Sequence, residues 1–331
     1  MMRQYRAALI LCTTVAVTLL LIILWRVEGT RTLRWAHVYE ISSPFHQQTL
    51  IAAREFEERT NGRYRVRVYP ASALGKESAI NESLALCAID IIYTGASLVA
   101  NEYPPIALSD FPYAIDNFEH WQAYRDSSLF EEMATAFGRA TDTEVIGLTY
   151  YGFRHVTANK PILHPDDMRG LKIRVPNAPM YLILPRATRA NAAPMPFSEV
   201  YLALQQGVID AQENPLTTIR LKRFYEVQSH INLTGHIAPS LLTLVSHRTL
   251  DELGEEDAAL LKDVADRAAR RASEEIAADE VELVEWFVDK GLTVTEVDRD
   301  AFRKAVDAYF DDHAYPFDAS YLTRLRELAK P

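Results

Sequence analysis

YLALQQGVIDAQ at residues 201–212 decides the fold, because SLALCAIDIIY at residues 83–93 follows the same plan. In each stretch a helix end runs into an apolar residue, Ile and Asp, and then into a β-strand. Working outward, the first copy is preceded by a strand over Leu33–His37 and a helix over Phe45–Thr60, which Asn61 and Gly62 close. Charged and apolar side chains alternate over Arg63–Tyr69, the pattern of a strand with one face on a core, and Pro70 stops it. A helix over Lys76–Cys87 and a strand over Ile89–Tyr93 complete this copy. Around the second copy, Leu171–Val175 reads as a strand ended by Pro176. Ser198 is placed to cap a helix running to Gln206, and Val208–Ala211 is a short strand after Gly207. A shared substructure implies an α/β chain of two lobes whose strands end near a common cleft, where open α/β sheets take ligands.

Farther on, Leu260, Leu261, Val264, Ala268, Ala272, Ile276 and Val284 give an imperfect apolar stripe from Glu255 to Lys290. Such a helix is over about 50 Å long if straight, so a kink or break is expected, and a course across both lobes. Leu292–Val297 then reads as a strand, Arg299–His313 as a helix, and the residues from Pro316 as a short packed helix.

At the other end, Arg3 and Arg6 precede an apolar run from Ala7 to Trp25. This is an export signal, with a weak small-residue cleavage site near Gly29, or an uncleaved membrane anchor. Either places the rest outside the cytoplasm. Beyond it Cys87 stands alone, so no disulfide forms within one mature chain. The formal net charge of −10 argues against nucleic acid as a partner, while leaving room for a local arginine site that binds a small anion. No glycine-rich phosphate cradle, nucleophile elbow, HExxH or paired-cysteine zinc pattern is present. No catalytic residue, metal or cofactor is expected.

YYGFRHVTANKPILHPDDMRGLKIRVPNA at residues 150–178 carries two arginines in apolar surroundings, Arg154 and Arg174. Each needs a partner. That partner is an internal carboxylate, or it is a ligand carboxylate held by the planar fork of the guanidinium. Asn214 before Pro215 is either a turn residue or an amide that offers a donor and an acceptor to a ligand, and Asn177 after Pro176 has the same two readings. Phe197 is core or an apolar pocket wall. His37, Glu40 and His46 surround the first strand-to-helix turn. If Glu40 faces a ligand it accepts from hydroxyls, since two bare carboxylates repel. Glu77 and Tyr93 are candidates for the same wall.

Together, RWAHVYE (34–40), FEERTNGRYRVRVYPASALG (56–75), HPDDMRGLKIRVPNA (164–178) and PFSEVYLALQQGVIDAQENP (196–215) resemble the solute-binding component of tripartite ATP-independent periplasmic (TRAP) transporters, the DctP family. The resemblance implies a two-lobed periplasmic solute-binding fold with a hinge and a long helix spanning both lobes. Residues 30–151 and 240–279 would form lobe I, and 152–239 and 280–331 lobe II, after a signal or anchor at 1–29. It implies that Arg174 salt-bridges the ligand carboxylate with Arg154 in support, that Asn214 and Asn177 contact or orient the ligand, and that Phe197 forms a pocket wall. The receptor would be monomeric, would have no turnover, and would deliver its ligand to a membrane permease pair driven by an ion gradient. VPNA and PMPFSEVYLALQ are similar to the sialic-acid-binding branch, whereas HVYEISS in the first lobe is more like sugar-acid binders. A uronate or aldonate is therefore the expected ligand, with a C4-dicarboxylate and sialic acid as alternatives.

Overall fold

A computed structural model describes residues 30–329. The expected export signal or anchor at residues 1–29 lies outside them. No described helix is long and apolar enough to cross a membrane.

The repeat is structural. In the first lobe β1 (Arg31–His37), α1 (Pro44–Arg59), β2 (Tyr64–Tyr69), α2 (Glu77–Ala85) and β3 (Ile91–Gly95) follow one another, and β1 lies between β2 and β3, parallel to both. The second lobe repeats this with β6 (Lys172–Val175), α5 (Ile183–Ala187), β7 (Asn191–Pro194), α6 (Val200–Gln205) and β8 (Ala211–Pro215), β6 lying parallel between β7 and β8. The echoed Asp does the same work in each copy: Asp90 accepts from the Arg34 amide at 2.8 Å, and Asp210 from the Lys172 amide at 3.0 Å. Each carboxylate thus ties the start of a third strand to the first. Cys87 and Gly207 close the preceding helices in the left-handed region, at φ 53° and 65°.

The lobes exchange strands. β4 (Thr143–Tyr150) ends the first excursion, and after a crossover at residues 151–153 the chain enters the second sheet as β5 (Arg154–Ala158). Following β9 (His230–Asn232) it returns as β10 (Ser240–Ser246), inserted antiparallel between β3 and β4. The sheets are ordered β2-β1-β3-β10-β4 and β11-β9-β5-β8-β6-β7, with β11 at Thr293–Thr295. Two crossovers side by side make a double hinge. Gly152 sits in one of them at φ 99°, where an added Cβ would lie 2.9 Å from Pro215 Cβ and 3.0 Å from Glu280 Oε1. Gly152→Ala should therefore destabilise the protein by about 1–3 kcal/mol in chemical denaturation, through strain and overpacking together.

After α3 (Phe118–Arg125), α4 (Ser128–Thr141) and α7 (Leu216–Leu221) comes the long helix α8, His247–Asp289. Its one non-helical residue is Gly254, so it runs unbroken from 255 to 289 and the break lies before the segment expected to kink. Small residues let its first half lie close on β4. Ala265 and Ala269 lie close enough to Gly147 of β4 that a Cβ there would stand 3.2 Å from Ala269 Cβ, and farther along Leu283 and Phe287 bury in the second lobe. Glu280 fastens the crossover to this helix by accepting from Tyr150 Oη at 2.8 Å and the Phe153 amide at 2.5 Å. Burial outweighs those two bonds and pushes its carboxyl up to about 7.

Some boundaries differ from the expectations. Pro196 occupies the cap position of a short 3-10 turn, Phe197–Glu199, so Ser198 lies inside the turn and caps nothing. β8 begins at Ala211, where the expected strand ended, which puts Asn214 in the sheet. α9 (Arg299–Tyr309) packs on the second lobe, but α10 (Ser320–Glu327) returns to the first. Arg324 pairs with Glu132, and the His120 ring reaches the Leu325 carbonyl at 2.9 Å. The residues from Pro316 thus pack apart from the lobe to which 280–331 was assigned.

Candidate functional site

The parallel strands of both sheets end on a cavity of about 380 Å³ between the lobes. Val38 and Tyr39 after β1, Gly95 at the end of β3, Pro176 and Asn177 after β6, and Asn214 near the end of β8 all contribute to its wall. Of the sequence candidates, Arg154, Arg174, Asn177, Phe197, Asn214 and Glu77 line it.

The two arginines are equally buried, each 2% exposed, but differ in their partners. On β5, Arg154 grips Glu213 of the adjacent β8: Nε meets Oε2, and Nη2 reaches Oε1 at 2.8 Å and the Glu213 carbonyl at 2.6 Å. The Tyr181 ring covers its guanidinium at 4.9 Å, and His236 adds a contact to Glu213 at 3.2 Å. Burial alone would raise the Glu213 carboxyl; the Arg154 charge and the His236 hydrogen bond hold it below the ordinary value. Arg174, at the end of β6, has no carboxylate within ion-pair distance among the described residues. Its Nε and Nη2 both donate to the Met195 carbonyl, at 3.0 and 2.7 Å. Burial, with Arg154 nearby and Glu213 opposing, brings its pKa down to about 10, so it stays charged at neutral pH.

Asn214 is oriented by a relay of amides. Its Nδ2 donates to Gln212 Oε1 at 2.6 Å, Gln212 Nε2 to Thr157 Oγ1 at 3.0 Å, and Thr157 to Gln228 Oε1 at 3.1 Å. This fixes which end of the Asn214 amide remains for the cavity. On the first-lobe wall Glu77 accepts from Thr94 Oγ1 and the Gly95 amide, both at 3.0 Å, through one oxygen. Burial raises its carboxyl despite those bonds.

Three candidates are not brought to this wall. His37 is fully buried behind it, its Nδ1 accepting from the Tyr39 amide at 3.2 Å and its Nε2 facing His46 Nδ1 at 3.1 Å. Burial, then the neighbouring His46, lowers it to about 3, so it is neutral and structural. Tyr93 is buried edge-on against Tyr39, ring centroids 5.7 Å apart. Glu40 is claimed by Lys222 at 2.5 Å, and the same Nζ stands 4.7 Å from the Phe197 ring centroid. A second pair of reversed sign, Lys76 with Glu199 at 2.5 Å, also joins the lobes. Glu40→Gln should accordingly weaken binding of every ligand about fivefold or less, most at low salt, and leave the preference for sugar acids over succinate unchanged when titrated by calorimetry. Asn81, Tyr151 and Tyr181 also line the cavity and were not among the candidates. For Asn81 a signal existed: it lies four residues after Glu77, on the same helix face.

A family model for bacterial extracellular solute-binding proteins, family 7, matches residues 35–315. The sialic acid-binding periplasmic protein SiaP of Vibrio cholerae is 31% identical over 291 residues, covering 86% of this chain and 89% of its own. A TRAP periplasmic solute-binding protein of a Polaromonas species, solved with D-erythronate, superposes with a TM-score of 0.86 at 28% identity, over 91% of this chain and all of its own. Another from Roseobacter denitrificans, solved with L-galactonate, gives 0.84 at 30% identity with the same coverage.

Proposed function

The chain belongs to family 7 of the bacterial extracellular solute-binding proteins, and we propose that its ligand is an aldonate or uronate whose carboxylate pairs with Arg174. It is a periplasmic receptor of a TRAP transporter, with a membrane permease as its partner and no catalytic turnover. The observation that carries the ligand assignment is the Arg174 guanidinium, buried on the cavity wall with no carboxylate partner among the described residues. An unpaired buried charge is costly. A ligand carboxylate removes that cost in a site already desolvated, and closure drives out the remaining water and strengthens the contact.

In this reading Arg154 is a positioning residue, since the Glu213 carboxylate spans its Nε–Nη2 edge and the Glu213 carbonyl takes a further bond from Nη2. Asn214 and Asn177 meet oxygens near the carboxylate, and Phe197 covers an apolar face of the carbon chain. Glu77 takes the part expected of Glu40, accepting from hydroxyls across the cavity; a second ligand carboxylate would meet its charge. That favours sugar acids over C4-dicarboxylates. The cavity also suits the four- and six-carbon acids carried by the Polaromonas and Roseobacter relatives. We further propose that lobe I comprises residues 30–151, 240–279 and the tail from about 316, and lobe II residues 152–239 and 280–315, a division that the contacts of α10 with the first lobe support. Ligand binding shifts the population toward the form in which both walls touch the ligand.

A thermal-shift screen of protein freed of copurified ligand tests this reading. Aldonates or uronates at about 100 times Kd should stabilise it by about 2.7 kcal/mol. A shift with succinate or malate alone would overturn the ligand assignment.

A further inference from the structure

We infer that Asn81 determines specificity, receiving a hydroxyl at the end of the ligand remote from its carboxylate. The inference rests on the sugar-acid reading and names what the distal end of that ligand must carry. Lys76 caps α2, Glu77 opens it, and Asn81 follows one turn later, so both side chains stand on one face and both line the cavity. Asn81 Nδ2 donates to the Leu98 carbonyl at 3.4 Å, which fixes the sense of the amide. Its Oδ1 is buried and has no hydrogen-bond partner. Nearby Lys76 is turned to Glu199, and Asn101, on the same wall, supplies no bond to Asn81. Glu77 is in a related state, since both its protein donors, Thr94 and Gly95, use Oε1.

α2 thus carries two acceptors one helical turn apart without a protein donor, Glu77 Oε2 and the buried Asn81 Oδ1, the latter reached when its side chain turns to the cavity. A carboxylate, a ketone oxygen or a methyl group donates to neither. Two hydroxyls on nearby carbons satisfy both, since each O–H is a donor that can accept in turn. Arg174 stands on the wall of the other lobe, so a chain anchored there presents its last hydroxyl-bearing carbons to α2. The wall selects a polyhydroxylated monocarboxylate over an alkyl acid, an oxo acid or a dicarboxylate of similar length.

Calorimetry on the whole protein tests this with D-erythronate, L-galactonate and D-gluconate, followed by the two monodeoxy derivatives of the tightest binder at its last two hydroxyl-bearing carbons. Asn81→Leu should weaken the parent acid at least tenfold and weaken one of the deoxy derivatives little, so that the two losses are not additive. Asn81→Asp, which keeps an acceptor, should retain the preference for the hydroxylated parent. The unligated Asn81→Leu protein should melt no lower than the parent, because an orphaned acceptor has been removed. Equal loss for parent and both derivatives, or no loss, overturns the role of Asn81 while leaving the receptor reading intact. Failure of the unaltered protein to bind any of the three acids overturns both.

Discussion

Replacing Arg174 with alanine is expected to weaken sugar-acid binding by about 2–5 kcal/mol, roughly thirtyfold to a few thousandfold, and to leave the unligated protein as stable as before or more so. The two effects have opposite sign because the free protein gains little from this guanidinium. Its charge is buried, its hydrogen bonds go to one carbonyl, and Glu213, whose charge opposes that cost, is paired with Arg154. Removing it takes away an uncompensated charge along with the ligand's partner. Arg174→Lys should not restore affinity, since an ammonium lacks the planar fork. The pH dependence follows from the same group. Burial lowers its pKa only to about 10, so it keeps its charge, and affinity should be flat through neutrality in calorimetric titrations; a fall across neutrality would argue against the assignment.

Glu213→Gln should do the reverse, lowering the stability of the unligated protein by about 3–5 kcal/mol, because it leaves Arg154 buried without its counter-charge. A fall of that size in chemical denaturation, absent in Arg174→Ala, would separate two arginines of equal burial. The pair also predicts acid sensitivity. Glu213 is held below the ordinary glutamate value in the folded protein, so its stabilisation is present above that value and is lost as pH falls through the depressed one. Denaturation profiles of the Gln variant should be flatter over that acidic window.

Much of the fold was legible because a short signal recurs. Leu, Ile and Asp at matched spacing mark a helix end, a left-handed turn and a carboxylate that ties two strands, and Asp90 and Asp210 perform that task with nearly the same geometry. The long helix was legible from its stripe, but its continuity from 255 to 289 was not. Length argued for a break, while the small side chains that let Ala265 and Ala269 lie flat on β4 decide the course through contacts the periodicity does not reveal. The sequence leaves Asn214 open to a turn reading as well as a ligand-facing one because Pro215 follows it, yet the ladder with β5 continues through both residues.

Within the site, residue types were easier to read than partners. Arg154 and Arg174 sit in similar local sequence, and what separates them is Glu213, 59 residues beyond Arg154 and brought beside it only by the pairing of β5 with β8. Glu40 and Glu77 were both candidates for the hydroxyl-facing wall, but Lys222, 182 residues from Glu40, claims the former. His37 lies between Ala36 and Val38 in sequence, and the structure buries it with them and against His46. The first and third of these outcomes depend on how elements pack within a lobe and the second on which lobe faces which, and periodicity along one element reports neither.

The most direct test of the central claim is to titrate the protein, freed of any copurified ligand, with an aldonate such as L-galactonate and with the carboxamide of the same acid. The two share every hydroxyl and differ in the charge that Arg174 is proposed to meet. Strong binding of the acid and a loss of at least tenfold for the amide is the predicted result; equal affinity for the two would contradict the account.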